Sequence, residues 1–441
     1  MANTPRESAY HTLLSAEKDS SRSIDDLLGN ALGSSSLTPQ EKRWVMELVY
    51  GVTRMKLQLD ALIGKVFKGR YKKAQHAVKV LLRMGTFQLK YMHTSEYAAI
   101  NESVNLCKRV KQTQSGALVN AILRKIQNLE LSQILDAESN DLKKLSIQTS
   151  HPEWMLTNWL QRYTEDEVLS FCQNNNQPPP NWIRRNSLRV SQTEFESYMD
   201  QEEVQYTQSE VLNSFYRIEN SGVLLSSKAF QDGWFSFQDL AAGVVASLLN
   251  PKPGETIVDA CAAPGGKMAF LSELSEGKAN IKAGDASHSR LERIHQNVRR
   301  LGLTQIEVLQ MDASADSLPM ADSILLDVPC SGTGVLNRRA DARWKRQPGD
   351  TASLVAIQTK IMTNSWKSVK PGGLMVYATC TLEPEENWGV VDSALEHLEH
   401  AQIEPVKDEI LKPYIDDRGA FSTLPWLHKM DGMFAVKIRK H

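Results

Sequence analysis

Two cysteines leave hydrophobic runs in the same way. In "SILLDVPCSGTG" (323–334) an apolar stretch ends at Asp327, and Pro329-Cys330 follows; in "LMVYATCTLEPEEN" (374–387) another ends in Thr379-Cys380. A lone cysteine is most often a small buried residue, but a thiolate is a nucleophile, and two thiols at matching exits ask for a shared task. Other chemistry-bearing residues recur at the same kind of place. "DACAAPGGK" (259–267) follows an apolar strand; its glycines let the backbone approach a ligand closely, and the next helix N-terminus favours negative charge. Asp285 lies 19 residues after Gly266, at a strand end suited to ribose hydroxyls, and Asp312 ends a further strand where an adenine amino group is in reach. The segment is neither GxGxxG nor GxxxxGK[ST], so a dinucleotide dehydrogenase or nucleotide triphosphatase loses weight. The implied ligand has a ribose and an adenine but needs no phosphate, and S-adenosylmethionine fits.

The elements that must position these residues alternate. "ETIVDA" (255–260), "IKAGDAS" (281–287), "IEVLQMDA" (306–313), "ADSILLDV" (321–328) and "LMVYATC" (374–380) read as buried strands. Between the second and third lies a helix striped by Leu291, Ile294, Val298 and Leu301, with Ser289 and Glu292 at capping-box spacing and Gly302 at its end. A longer helix carries Leu354, Ile357 and Ile361 and stops at Pro371-Gly372-Gly373. Apolar strands alternating with helices predict a doubly wound parallel α/β sheet, whose ligands sit at the carboxyl ends of the strands. The chain before it differs. Val45, Leu48, Val49 and Val52, then Val78, Leu81, Leu82, Gly85 and Leu89, recur at helical spacing, so residues 1–148 read as an all-α domain. Residues 149–235, interrupted by "NNNQPPPNW" and holding β-like pieces such as "NSLRV" and "SGVLLS", read as a small α+β connector; residues 236–441 form the α/β domain.

Composition bounds the rest. The chain has 441 residues, 41% hydrophobic and 23% charged, which describes a multidomain soluble protein. No apolar run approaches the roughly 20 residues that span a bilayer, and the N-terminus lacks a signal pattern, so a cytoplasmic location and no membrane partner are expected. Five cysteines without CxxC spacing indicate neither a disulfide framework nor a metal site. The net charge of −1 hides a local excess: residues 51–130 hold 15 Lys+Arg against 4 Asp+Glu. A polyanion partner accounts for that, as does an ordinary solvated helix face. The basic segment "NRRADARWKRQ" (337–347), directly after Cys330, interleaves Trp344 with four arginines and a lysine and suits phosphates and unpaired bases; an ordinary solvated basic loop is the alternative.

Taken together, "DACAAPGGK", "DVPCSGTG" and "YATCTLEPEEN" resemble the motifs of the Nop2/Sun family of RNA cytosine-C5 methyltransferases. The resemblance covers nearly the whole chain: "FSFQDLAAGVVA" (235–246) is similar to the segment that introduces that catalytic domain, "SHPEWML" (150–156) to a marker after the N-terminal domain, and residues 1–148 to the NusB-type RNA-binding module. Val328 stands where the family usually has Ala, and Gly332 where the Sun branch often has Ala; both are small changes beside the cysteine. The resemblance implies a Rossmann-like class I methyltransferase domain that uses S-adenosylmethionine. It also implies a 16S rRNA substrate, with the cytosine conventionally called C967 as target; the sequence does not separate naked rRNA from an early assembly intermediate, and nothing in it suggests more than a monomer. Cofactor contacts fall on Cys261, Ala262, Ala263, Pro264, Gly265, Gly266, Lys267, Asp285, Asp312 and Asp327. Spacing alone does not say which thiol attacks. The resemblance assigns attack on cytosine C6 to Cys380 and resolution of the adduct to Cys330. Asp327, beside both in its motif, is placed to hold a proton on N3, and Lys267 either contacts the ligand carboxylate, lowers a thiol pKa or is a buried structural partner.

Two rival readings predict different residues. An amino-group methyltransferase calls for an Asn/Asp-Pro-Pro-Tyr type motif where this chain has "DVPC", and it leaves Cys380 idle. A non-enzymatic assembly factor has no need of Asp285, Asp312, Cys330 and Cys380 together.

Overall fold

The computed structural model describes residues 4–441 apart from 20, 34, 220, 221 and 223. They form two compact units: residues 1–179 with Leu336–Pro348, and Pro180–Val335 with Gly349–His441.

The first unit is helical. Helices Pro5–Lys18 and Pro39–Arg54 begin alike: Thr4 and Thr38 accept from the backbone three residues on, Glu7 and Glu41 return the bond, and proline takes the first turn, where its missing N–H costs nothing. The spaced apolar residues read from the sequence line the interior; Val45, Leu48, Val49, Val52, Leu81 and Leu82 are all buried. The basic segment 337–347 falls within Leu336–Pro348, which belongs to this unit; Arg339 is exposed, whereas other residues of the segment are tied into the fold. Arg343 is fully buried, and its guanidinium donates to Ser150 O (3.3 Å), Asn175 O (2.9 Å) and Asn176 Oδ1 (2.7 Å). Trp344 Nε1 donates to Thr53 O at 2.7 Å, Arg54 donates to Asn337 O at 2.8 Å, and Asp341 accepts from Ile24 N at 3.0 Å. Basic composition predicted exposure; the helix-end carbonyls that receive Arg343 come from a distant part of the chain and leave no local trace.

The second unit holds two sheets. Strands β1 (Asn181–Arg185), β2 (Tyr206–Gln208), β3 (Phe215–Ile218) and β4 (Phe235–Phe237) form an antiparallel sheet in the order β2-β3-β1-β4, with helix Gln192–Gln201 packing Phe195 and Met199 into its core. This is the small α+β region, but its strands lie elsewhere than expected. "NSLRV" is a turn after β1. Ser221 and Val223 of "SGVLLS" lie outside the described residues, and Leu224–Ser226 form a single helical turn.

The large sheet contains β5 (Thr256–Asp259), β6 (Asn280–Asp285), β7 (Ile306–Gln310), β8 (Ala321–Asp327), β9 (Val369–Thr379), β10 (Ala401–Ile403), β11 (Phe421–Ser422) and β12 (Phe434–Lys440). Its order is β10-β12-β9-β8-β5-β6-β7, with β11 beside β12. The run from β9 to β7 is parallel, as the apolar strands predicted; β10, β11 and β12 pair antiparallel and extend it. Two local details also differ. The long helix ends at Trp366, and Pro371-Gly372-Gly373 falls within β9, where the register jumps from Ala321↔Val369 to Ser323↔Leu374. The helix before β7 starts at His288 with Ser287 as its N-terminal flank, so Ser289 and Glu292 form no capping box.

Candidate active site

Parallel pairing of β8 and β9 sets the first part of the geometry. Asp327 lies opposite Ala378, so the loops after both strands start level on neighbouring tracks. Cys330 Sγ and Cys380 Sγ meet at 3.2 Å, and Cys380 N donates to Cys330 Sγ at 3.3 Å. Cys330 is buried and Cys380 partly exposed. The hydrogen bond to Cys380, with burial behind it, pushes the Cys330 thiol well above its ordinary value.

A buried carboxylate that the sequence motifs did not single out locks the two loops together. Glu386, fully buried, accepts from Ser331 N (2.8 Å), Gln358 Nε2 (2.9 Å) and Thr381 Oγ1 (3.3 Å). Thr381 Oγ1 also meets Ser331 Oγ at 2.6 Å and Thr333 Oγ1 at 2.9 Å, and Gly334 N donates to Cys380 O at 3.1 Å. A Cβ on Gly334 would lie 2.2 Å from Gly432 O, so only glycine permits this approach. Three donors on one dry carboxylate make a rigid hub, since each bond removed there leaves a buried charge underpaired. The only sequence signal was the run of acids in "EPEEN", which does not say which one turns inward.

On the other side of β8, β5 leads into the loop before helix Gly266–Leu274. Ala260 N bonds Leu325 O and Ala262 N bonds Gly284 O, pinning the loop to both neighbouring strands. Gly265 takes φ 105°, a left-handed backbone, and the helix after it has no side-chain cap, so its first N–H groups are offered to a ligand. Lys267 Nζ reaches Asp327 Oδ2 at 2.7 Å. Burial works against this ammonium, but Asp327 outweighs it and holds Lys267 above its ordinary value; charge on Cys380 acts in the same direction. Asp285 is 4% exposed, accepts from Ser287 N (3.0 Å) and pairs with Arg290 (3.2 Å), whose other arm donates to Ala263 O. Asp312 is exposed and bonded to Ser314, which holds its carboxyl below the ordinary range. Cys261 lines the loop with its thiol pushed up, by burial first and then by Asp259.

Asp259 itself was not singled out from the sequence. It is 1% exposed, and among the described residues neither carboxylate oxygen has a hydrogen-bond partner. Burial, with the nearby charge of Asp327, raises it to about 7. An unpartnered buried carboxylate is costly, and a ligand bringing positive charge relieves it. An uncapped helix N-terminus, a strand-end acid suited to a ribose and this orphaned carboxylate fit S-adenosylmethionine, which carries a carboxylate, a ribose, an ammonium and a sulfonium.

The antiparallel sheet supports the same loop from below. Arg184 of β1, fully buried, forks onto Glu273 (2.8 and 3.0 Å) and donates to Gly266 O at 2.9 Å, tying β1 to both ends of the helix that follows the loop. Its further bond to Gln238 completes the clamp. A bidentate guanidinium–carboxylate pair fixes orientation as well as distance.

The comparisons with known proteins agree with this layout. Residues 246–439 match the family described as 16S rRNA methyltransferase RsmB/F, residues 3–128 the NusB family, and residues 151–223 the Methyltr_RsmF/B-like ferredoxin-like domain. A Bacillus subtilis protein named "Probable ribosomal RNA small subunit methyltransferase B" is 32% identical over 99% of this chain and 98% of its own length. "Ribosomal RNA small subunit methyltransferase B" of Shigella sonnei is 32% identical over 92% of each. A solved methyltransferase homolog from Pyrococcus horikoshii is 25% identical, covers 69% of this chain and 100% of its own, and superposes with a TM-score of 0.60. With two paired thiols at adjacent strand exits, a NusB-type helical unit before them and identity above 30% over nearly full length, the chain belongs to the ribosomal RNA small subunit methyltransferase B family.

Proposed function

We propose that this protein methylates C5 of a cytosine in 16S rRNA, with C967 as the target, through a covalent adduct between Cys380 and cytosine C6. The observation that carries the reading is the 3.2 Å contact between Cys330 and Cys380 beside the Lys267–Asp327 pair. S-adenosylmethionine, the cofactor of this methyltransferase family, supplies an electrophilic methyl group when bound. Ala262 to Lys267, with Cys261, would hold its amino-acid end, Asp285 its ribose and Asp312 its adenine, with Asp259 and Asp327 facing the positive groups.

Each residue then has a defined task. The ammonium of Lys267 favours the thiolate of Cys380, which adds to C6 and makes C5 enamine-like. Asp327 keeps a proton on N3, which withdraws electrons from the ring during addition. After methyl transfer Cys330 takes the C5 proton, the electron pair re-forms the C5–C6 double bond, and the C6–S bond breaks. The cause of the high Cys330 value sets the timing. Its leading contribution is the hydrogen bond to Cys380, and the charge on Cys380 adds to it. Once the Cys380 sulfur is bonded to C6 both are withdrawn, while burial and Glu386 go on raising Cys330, so attack eases the loss of the Cys330 proton that must precede its action as a base. The target base must leave its stack to reach such a site. The exposed cations Lys65, Lys68, Arg70, Lys72 and Lys73 of the helical unit would hold the RNA backbone.

Incubating the full-length protein with rRNA and labelled cofactor tests the assignment. Cys380→Ala should give neither 5-methylcytosine by nucleoside mass spectrometry nor a covalent complex. Cys330→Ala should trap a protein–RNA species that survives denaturing electrophoresis. The reverse pattern would exchange the two roles, and full activity in both variants would end the thiol mechanism.

A further inference from the structure

The two thiols of the catalytic unit are also within reach of a reaction with each other. Cys330 Sγ and Cys380 Sγ lie 3.2 Å apart, so a disulfide bond of about 2.05 Å asks them to close by only about 1.2 Å. Their loops are fixed at that separation by bonds inside the same unit. Glu386 accepts from Ser331 N and Thr381 Oγ1, the residues next after the two cysteines, and Leu382 N donates to Thr333 Oγ1 at 3.0 Å. Sulfurs held together in this way meet without the entropic cost of finding one another. They differ in access. Cys380 is partly exposed and Cys330 is buried, so a small reagent in solution reaches Cys380 first. Lys267 senses the charge of Cys380, and a nearby ammonium favours the thiolate, the form that oxidants attack. Cys380 N donates to Cys330 Sγ at 3.3 Å, a bond that supports negative charge on the second sulfur when it becomes the nucleophile. The helical unit holds the contrast: Cys107 and Cys172 are fully buried, and burial raises both thiols, Cys172 to about 12.

We propose that Cys330 and Cys380 form a reversible disulfide when the protein meets hydrogen peroxide. The Cys380 thiolate attacks one peroxide oxygen; the S–O bond forms, the O–O bond breaks and hydroxide leaves, so the sulfur is oxidised to a sulfenic acid and the peroxide is reduced. The Cys330 sulfur then attacks the Cys380 sulfur; the S–S bond forms, the S–O bond breaks, and the departing hydroxide takes the Cys330 proton and leaves as water. A dithiol reverses the link by exchange, returning two electrons and both protons. The link occupies the attacking and the resolving thiol at once, so it stops methylation, a consequence that rests on the cytosine reading above. It also shields Cys380, because a sulfenic acid left unpaired goes on to the sulfinic acid, which thiols do not reduce.

The test treats the full-length protein with hydrogen peroxide, unfolds it, alkylates the remaining thiols and follows each cysteine by non-reducing peptide mass spectrometry. The peptides bearing Cys330 and Cys380 should appear joined, lighter by the two thiol hydrogens, and dithiothreitol should separate them. Cys107 and Cys172 should be recovered as alkylated thiols. Methylation of rRNA should be lost as the link forms and regained with the reductant. Cys330→Ser should give no link; dimedone should capture its Cys380 as the sulfenic acid, and without dimedone Cys380 should end as the sulfinic acid. A parent protein whose Cys380 reaches the sulfinic acid while Cys330 stays a thiol would overturn the proposal. So would two unlinked thiols at a peroxide concentration that already oxidises exposed Met320. If the link forms but methylation continues, the disulfide stands and the thiol mechanism on cytosine falls. If no link forms while Cys380→Ala abolishes methylation, the mechanism stands and the disulfide falls.

Discussion

Arg343 and the cations from Lys65 to Lys73 belong to one helical unit, and composition does not tell them apart. Their situations are opposite. Lys65, Lys68, Arg70, Lys72 and Lys73 are exposed, where a charge costs little and is screened by salt. Arg343 is dry, held by carbonyls and an amide instead of an acid. The difference teaches what a basic residue does here: a surface cation is free to meet a polyanion, whereas a buried one already commits its donors to the fold. The catalytic unit repeats the contrast on the acidic side, with Asp312 exposed and bonded locally and Asp259 buried with neither oxygen bonded among the described residues.

The contrast makes buried charges questions of stability and exposed ones questions of binding, and four measurements can break it. The largest effect belongs to Asp259. Its value in the fold, about 7, lies above the ordinary 3.8, so its contribution to stability is fully present below about pH 4 and is lost as pH rises through 7. By linkage the loss reaches about 4 kcal/mol at pH 7. Urea unfolding of Asp259→Asn between pH 4 and 8 should lack that decline, and S-adenosylmethionine should flatten it in the parent; a parent curve already flat would mean that Asp259 is ionised at little cost. Next comes Arg343→Gln, which removes charged hydrogen bonds and should destabilise by about 2–3 kcal/mol; an unchanged melting temperature would place the guanidinium in solvent. Trp344→Phe deletes one N–H donor and leaves Thr53 O without that bond, for about 1 kcal/mol in the same assay. Smallest in stability is the triple reversal Lys68→Glu, Lys72→Glu, Lys73→Glu, which should leave the melting temperature alone. Its effect should appear in RNA binding, where the log–log salt slope falls by about 0.7–0.9 for each phosphate no longer neutralised; an unaltered slope would show that this face meets something other than RNA.

How much of this was legible in the sequence depends on whether the cause is local. Strands β5, β6, β8 and β9 announced themselves as apolar runs ending in turns, because a strand buried on both faces needs no partner's help to be read, whereas β7, read as buried, is the edge of the sheet and none of its residues is fully buried. Strands β10 and β11, three and two residues long, exist only because β12 pairs with them. The capping box at Ser289 and Glu292 was a correct local pattern overruled by its surroundings: Asp285 Oδ1 takes Ser287 N, and Ser289 Oγ meets Ser287 Oγ. The two thiols were legible because each sits in its own motif. Glu386 was not, since its partners Ser331 and Gln358 lie 55 and 28 residues away and no spacing rule connects them. Composition alone places a clean domain boundary near residue 150. A chain truncated there would lack Thr53 and Arg54, which bond Trp344 and Asn337, so charge reversal on the surface is the better probe of RNA binding.

The return of Leu336–Pro348 to the helical unit sets an order of events during synthesis. The helices up to residue 179 leave the ribosome first, yet the seat formed by Ser150, Asn175 and Asn176 stays unfilled until Arg343 has emerged. At about 5–20 residues per second the wait is roughly ten to thirty seconds. Through that interval the nascent helical unit carries an open, polar socket, and a premature stop anywhere between the two would release a chain whose helical unit lacks Arg343 and never closes.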